Sequence, residues 1–291
     1  AGVPPGIAFP EGFLTLGASG PELGPLQSEH RCRTLMPCRW DPDAVPQRWY
    51  AFLCEVLVGD AHMEDTARTL QEFVGACLFG LAPRYERCLV LEGVGANGKS
   101  VVLEAVQALF PASARCALSP QDLGRDFKLA ALAGKRLNCV NEVPDTDVAS
   151  SERFKLVVSG QPITAEHKNR DPFTFRPQAG HLFACNTLPG TRDATPGFWR
   201  RFLLVPLHRV FEEHEQERGL AQRLISTELA GIAAWAVRGA QRLLAAERYT
   251  VSQTSADTIE EWKTAADRVR LWVQDRCDEV EAKDGTSTKG L

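Results

Sequence analysis

The spacing of apolar residues divides the chain into stretches of different period. Between residues 46 and 80 they recur every three or four positions, which predicts two helices. The first opens at Pro46, a residue suited to the first helical turn, and carries Trp49, Phe52, Leu53, Val56 and Leu57. The second starts near Asp60, runs through Leu70, Phe73, Val74 and Cys77, and stops at Gly80. From Arg87 the pattern changes to short apolar runs separated by helical segments. Strands are predicted at 88–91, 115–118, 137–140, 181–185 and 202–206, and helices at 99–110 (ended by Pro111), 127–132 and 147–158. The runs 163–165 and 173–175 bracket a charged tip at 167–171 and predict a hairpin. Strands alternating with helices imply a mostly parallel sheet with crossover helices, an α/β core. Beyond it, 217–247 is rich in Ala, Leu and Arg, and Ile259, Trp262, Ala266, Val269 and Val273 form an apolar stripe on a last helix. That stripe suits internal packing or a ring-stabilising contact.

The first 45 residues are rich in Pro and Gly, and they predict loop and short strand. The expected organisation is therefore an irregular segment (1–45), a small helical domain (46–82), an α/β core (83–211), a helical region (212–277) and a polar tail (278–291). Composition narrows the class. With 44% apolar and 24% charged residues the chain of 291 is an ordinary globular one, and 33 basic against 37 acidic side chains exclude a globally basic DNA coat. The longest uncharged apolar run, 229–237, is far below the roughly 20 residues that span a bilayer, so no membrane association is expected. No secretory pattern opens the sequence, and nine cysteines without a CxxC pair fit a reducing compartment, so a cytoplasmic protein is expected. His30, Cys32 and Cys38 match no zinc spacing.

The chemistry concentrates in one motif. Gly93-Val94-Gly95-Ala96-Asn97-Gly98-Lys99-Ser100 fits GxxxxGK[ST] between a predicted strand and a predicted helix. Such a loop cradles a β-phosphate with backbone N–H groups, with Lys99 reaching the β/γ oxygens and Ser100 offering its hydroxyl to Mg²⁺. The first residues of the following helix, Val101 included, turn its positive end toward the anion. A nucleoside triphosphate, ATP with Mg²⁺, is the expected ligand. Hydrolysis further needs a carboxylate to orient water, a polar sensor and a cation for the transition state. Glu142, ending the strand 137–140, is read as the water-activating base and, with Ser100, as a metal ligand; the alternative is an ordinary exposed strand-end Glu. Asn141 stands where a metal-side Asp is usual. Asn186, ending the strand 181–185, fits either a γ-phosphate sensor or a turn residue. Arg200 and Arg201 fit either an arginine finger supplied to a neighbouring subunit or a solvated pair. The segment 153–176 carries five basic against two acidic residues, and His167, Lys168, Asn169 and Arg170 crowd its tip. A short charged hairpin can hold a phosphate without reading sequence, or be a solvated turn.

Taken in order, GVGANGKS, KRLNCVNE, FKLVVSGQPITAEHKNRDPFTF, HLFACNTLP and GFWRRFLLVPL resemble the superfamily 3 helicases. Within them the set is most similar to the helicase half of phage and plasmid primase–helicases, the group that includes the poxvirus primase–helicase. The stretch from about 40 to 80 resembles the small helical domain that precedes the motor there. The resemblance implies an AAA+-type core, a homo-hexameric ring round one DNA strand, ATP at each subunit boundary, and 3′→5′ translocation in phage, prophage or plasmid replication. It implies single-stranded and forked DNA as partners and a primase as a possible associate. It makes Lys99 and Ser100 the Walker A pair, Glu142 the Walker B acid, Asn186 sensor 1, and Arg201 with Arg200 the finger. Lys135 matches a basic residue inserted into the neighbouring site, and Lys168 matches the tip lysine that moves the strand. Two departures stand out: Asn141 replaces an acid, and nothing resembles a primase domain or a full winged helix. A second reading is an initiator ATPase that assembles at an origin and recruits another helicase without unwinding. A small-molecule kinase leaves the hairpin and the paired arginines unexplained.

Overall fold

The computed structural model describes residues 5–17, 19–30, 32–143, 151–168, 170–191, 193 and 195–266. The Pro/Gly-rich start is more regular than its composition suggests. β1 (Gly6–Phe9), β2 (Gly12–Gly17) and β3 (Gly20–Gly24) form an antiparallel sheet in the order β1-β2-β3. Pro10-Glu11-Gly12 makes the first turn, a breaker cluster between apolar runs.

The helices α1 (Gln47–Val56) and α2 (Met63–Phe79) follow, and Gly80 ends α2 in a left-handed cap. The core then runs β4 (Cys88–Glu92), α3 (Lys99–Ala108), β5 (Arg115–Cys116), α4 (Asp126–Leu129), β6 (Leu137–Val140), α5 (Ser151–Val158), β7 (Ile163–Ala165), β8 (Phe173–Phe175), β9 (Gly180–Cys185), α6 (Pro196–Trp199) and β10 (Phe202–Pro206). The helices α7 (Leu220–Ala246) and α8 (Gln253–Ala266) complete it.

The fold is α/β, as the strand–helix alternation predicts. Five strands lie parallel in the order β10-β4-β9-β6-β5, so β4 sits between β10 and β9. The strands β4, β9 and β10 are buried on both faces and so read as near-continuous apolar runs, whereas the edge strand β5 is half-buried and β6 carries the buried Asn138. Leu89, Leu91, Leu182, Ala184, Leu203 and Val205 point to one core, with α1, α2, α3 and α7. Val90, Phe183, Phe202 and Leu204 point to the other, with α5, α6 and α8.

Three local differences have simple causes. The predicted helix at 127–132 is one turn of α4 followed by a 3₁₀ turn at Ala130–Leu132, because so few residues cannot offset helix nucleation. The last turn after α3 tightens into i→i−3 bonds, Leu109 N–H to Val106 O and Phe110 N–H to Gln107 O, before Pro111 stops it. The edge strand β10 does not stay open: the Leu204 N–H donates to Ser255 Oγ of α8 at 2.9 Å. The predicted helix start at 147–150, together with Val269, Val273 and the polar tail, lies outside the described residues.

α7 is tied to α2 and α1 by both apolar and ionic contacts. Trp49 and Trp235 meet edge to face at 5.4 Å. The buried Glu72 carboxylate accepts from Arg242 Nε (2.7 Å), the Thr250 N–H (2.7 Å) and Thr250 Oγ1 (2.9 Å). A buried carboxylate so fully satisfied fixes the register of the two helices rather than weakening the core. No helix among the described residues is long and apolar enough to cross a membrane.

Candidate functional site

At the carboxyl end of the sheet the chain leaves β4 through the loop 93–98 and enters α3 at Lys99. Two glycines make this path possible. Gly93 has φ +147°, and a β-carbon there would lie 2.5 Å from Leu207 O. Gly98 has φ +86°, and a β-carbon would lie 2.6 Å from Val56 Cγ1 of α1. Both the turn and the close approach therefore exclude side chains. Ala96 adopts φ +56° without a glycine's freedom, at a cost of about 1–2 kcal/mol. Its carbonyl accepts the Phe211 N–H at 2.8 Å, which holds the strained residue in place.

Lys99 turns into this loop and is 9% exposed. Its Nζ donates to Val94 O at 3.0 Å, to Asn97 Oδ1 at 3.2 Å and to Gly93 O. The buried Asn97 is itself anchored, its Nδ2 donating to Leu207 O at 3.4 Å. Burial pulls the Lys99 pKa below the usual lysine value, while Cys185, Glu92 and Glu142 act against that pull. Glu92, half-buried at the end of β4, has its carboxyl pushed up by burial. A desolvated ammonium at the N-terminus of a ten-residue helix is an arrangement that favours an anion.

The neighbouring strands bring the other candidates to the same place. The Gly93 N–H donates to Cys185 O at 3.3 Å, and the Val143 N–H donates to Ala184 O at 2.8 Å. The residues leaving β4, β6 and β9 are thereby held side by side. A cavity of about 420 Å³ opens there, with Gly95, Ala96, Asn97, Gly98, Lys99, Ser100 and Val101 in its wall beside Asn141, Glu142 and Asn186. Ser100, Glu142 and Asn186 are exposed in it, and Asn141 Oδ1 accepts from Gln107 Nε2 at 3.3 Å. Gly93 itself is buried and does not line the cavity. One carboxylate with a hydroxyl is a poor all-protein cage, and no group of three or more potential ligands occurs among the described residues. It suits Mg²⁺, which keeps water and leans on phosphate oxygens.

Part of this wall was invisible to motif reading. Arg48, Phe52 and Glu55 of α1, with Phe211 and Glu217 after β10, close the side away from the sheet. Arg48 joins them, bonding Glu55 at 3.0 Å and Glu217 at 2.9 Å. They come from segments about 40 residues before and more than 100 after the loop, and no local spacing links them.

Arg200, Arg201, Lys135 and the hairpin lie elsewhere. β10 runs parallel to β4 with Phe202 opposite Cys88 and Pro206 opposite Glu92. Arg201 therefore sits at the amino end, about 16 Å along the strands from the loop that leaves Glu92. Its side chain is 9% exposed and turned into its own chain, donating to Gly197 O and, at 2.9 Å, to Ser159 Oγ. Arg200 is 61% exposed and paired with Glu86 at 2.8 Å. Lys135 precedes β6 at the same end and donates to Ser113 O at 2.7 Å. None of the three lines the cavity.

The hairpin β7–β8 forms as predicted, with Ile163 opposite Phe175. His167 stacks on Phe173, centroids 5.3 Å apart, and its carbonyl accepts the Arg170 N–H at 3.0 Å. Lys168 and Arg170 are exposed at the tip. Asn169 lies outside the described residues.

The family of unknown function DUF5906 matches residues 91–201, less than half of the chain. That window runs from β4 to Arg201 and contains every residue that the motifs single out, but not the wall residues Arg48, Phe52, Glu55, Phe211 and Glu217. A protein of Acanthamoeba polyphaga mimivirus whose description proposes a helicase is 28% identical over 164 residues. The match covers 54% of this chain and 17% of the mimivirus protein. Among solved structures, the A form apo structure of the NrS-1 C-terminal region superposes with a TM-score of 0.53 at 14% identity, over 80% of this chain and 55% of that one. A second apo structure of the same region gives 0.53 at 14% identity, over 79% and 57%. The chain thus spans a small part of the viral relative and just over half of each NrS-1 chain, and with NrS-1 it shares a fold.

Proposed function

We propose that this chain is the motor of an ATP-driven, ring-forming DNA helicase that moves 3′→5′ on single-stranded DNA during phage, prophage or plasmid replication. The carrying observation is the division of these polar and charged groups between the two ends of one parallel sheet. Lys99, Ser100, Glu142 and Asn186 share the cavity at the carboxyl end. Arg200, Arg201 and Lys135 lie at the amino end and reach no phosphate in their own chain. Such a set works when the amino end of one copy meets the carboxyl end of the next, and a closed ring repeats that contact. The relationship to a viral protein described as a helicase supports the same reading.

In this reading the loop 93–98 and Lys99 bind the triphosphate, and Asn97 holds Lys99 in register. Mg²⁺, when bound, neutralises phosphate charge beside Ser100 and Glu142. Glu142 accepts the proton of the attacking water, Asn186 orients that water, and an arginine of the next copy meets the charge that develops. Arg200 is the better finger, because it is exposed and held only by one surface ion pair, whereas Arg201 braces the strand start. Lys168 and its neighbours at the tip contact the strand from the bore of a hexamer.

The test is strand displacement on a 3′-tailed fork with ATP and Mg²⁺. Displacement by the native chain and none by Lys99→Ala supports the reading. Activity that survives Lys99→Ala contradicts it, and DNA-stimulated hydrolysis without displacement favours the initiator ATPase instead.

A further inference from the structure

A second cavity, of about 700 Å³, lies at the amino end of the sheet, between β1–β2, the end of α2 and the base of the hairpin. Arg33, Arg84, Arg136, Arg176 and His30 line it, and none of its described lining residues is acidic. In a chain with more acidic than basic side chains, this is a local separation of charge.

Arg136 is the deepest of these cations. Its backbone N–H and C=O are used by Ala114 and Gly180, but its guanidinium makes no hydrogen bond or ion pair among the described residues. It lies across Gly80, at the negative end of α2, which is too weak a partial charge to replace a counter-ion. Burial lowers its pKa, as expected for a desolvated cation without a partner. Arg176 donates only a long bond to Gly160 O, 3.5 Å, and Arg84 has an exposed contact with Glu247 at 3.7 Å and lies over the Tyr85 ring at 5.7 Å. These groups are available to an anion.

Aromatic rings accompany the charge. Phe13 and His30 stack in the wall with centroids 3.8 Å apart. Phe175, also in the wall, stacks on Phe173 at 5.6 Å, and Phe173 stacks on His167 at 5.3 Å. A continuous ladder therefore joins this cavity to the hairpin tip that carries Lys168 and Arg170. Cations at the cavity and at the tip, joined by half-buried flat rings that also pack on the core, suit an unpaired strand held by its backbone and base faces.

We propose that this cavity is a second binding site for single-stranded nucleic acid, continuous with the hairpin along the ladder His167–Phe173–Phe175, with Arg136 as its innermost phosphate contact. The proposal rests on the nucleic-acid reading of the hairpin but not on ATP hydrolysis or ring formation.

The experiment is fluorescence anisotropy of a labelled oligothymidylate on the nucleotide-free chain across a salt series, with Cys32 alkylation followed by mass spectrometry. Arg136→Met, and independently Arg176→Gln at the exposed rim, should each weaken binding about tenfold and flatten the salt dependence by about 0.7 in log–log slope. The oligonucleotide should slow alkylation of Cys32, which lies in the cavity wall, and leave the exposed Cys54 unchanged. Because Arg136→Met removes an unpaired cation, its unliganded Tm should equal or exceed that of the native chain, which separates lost binding from lost folding. Native affinity and slope in both variants, with binding lost in Lys168→Ala, would overturn the cavity and leave the hairpin. Protection of Cys32 by inorganic phosphate but not by oligonucleotide would overturn it in favour of a small-anion site. No oligonucleotide binding by the native chain would remove both the cavity and the hairpin reading. Cavity-dependent binding without strand displacement would remove only the helicase.

Discussion

The two ends of the central sheet differ in how complete they are. At the carboxyl end a contiguous loop, a buried lysine and the tips of two adjacent strands converge on one cavity, each held by backbone bonds to the next strand. At the amino end Arg200, Arg201 and Lys135 are paired only within their own chain, Arg201 buried against it and the other two nearer the surface. A parallel sheet makes this polarity unavoidable, because every strand exit lies on one side and every entry on the other. Residues at entries can serve such a site only from another copy.

The largest effect that would sharpen this contrast belongs to Arg200. Arg200→Ala should lower the rate of ATP hydrolysis about 10³–10⁵-fold with nucleotide affinity little changed, as measured by steady-state turnover beside equilibrium binding. If Arg201→Ala does this instead, without a fall in Tm, the roles of the two are exchanged. Next in size is the carboxyl end. Glu142→Gln should retain ATP binding and lose about 10²–10⁴ in turnover, and unaltered hydrolysis would remove Glu142 from that role.

A smaller effect belongs to folding and again separates the two ends. His181, second in β9 and so near the amino end, is fully enclosed; Asn138 Nδ2 donates to its Nδ1 at 3.1 Å, and its pKa is lowered by burial to about 4. The unfolded chain takes up that proton near pH 6.5 and the folded one does not. The stability that depends on the neutral ring is therefore intact above about pH 6.5 and is lost as pH falls toward 4, about 3 kcal/mol in all. Denaturant midpoints should fall across that window, and His181→Asn should flatten the fall. An unchanged profile would mean that folding does not shift the ring's pKa.

What the sequence made legible follows from how local each signal is. The glycine-rich motif is eight consecutive residues, and Gly93 and Gly98 carry the positive φ that its turn requires. The strands β4 and β10 were the most readable because burial on both faces leaves no polar break in 88–91 and 202–206. The wall formed by Arg48, Phe52 and Phe211 was not, since only the folding of α1 and the segment after β10 onto the loop brings it there. The β1–β2–β3 sheet was hidden by its glycine content, although Pro10-Glu11-Gly12 marks its first turn. Charge alone could not separate Arg200 from Arg201; their different burial does.

The most direct measurement of the composite site is ATP hydrolysis in mixtures of two inactive variants. Arg200→Ala subunits retain an intact phosphate loop, and Lys99→Ala subunits retain an intact finger. Mixing them should restore turnover, highest near equal proportions, because some boundaries then pair a native loop with a native arginine. Mixtures as inactive as either variant alone, at every ratio, would contradict a site shared between copies.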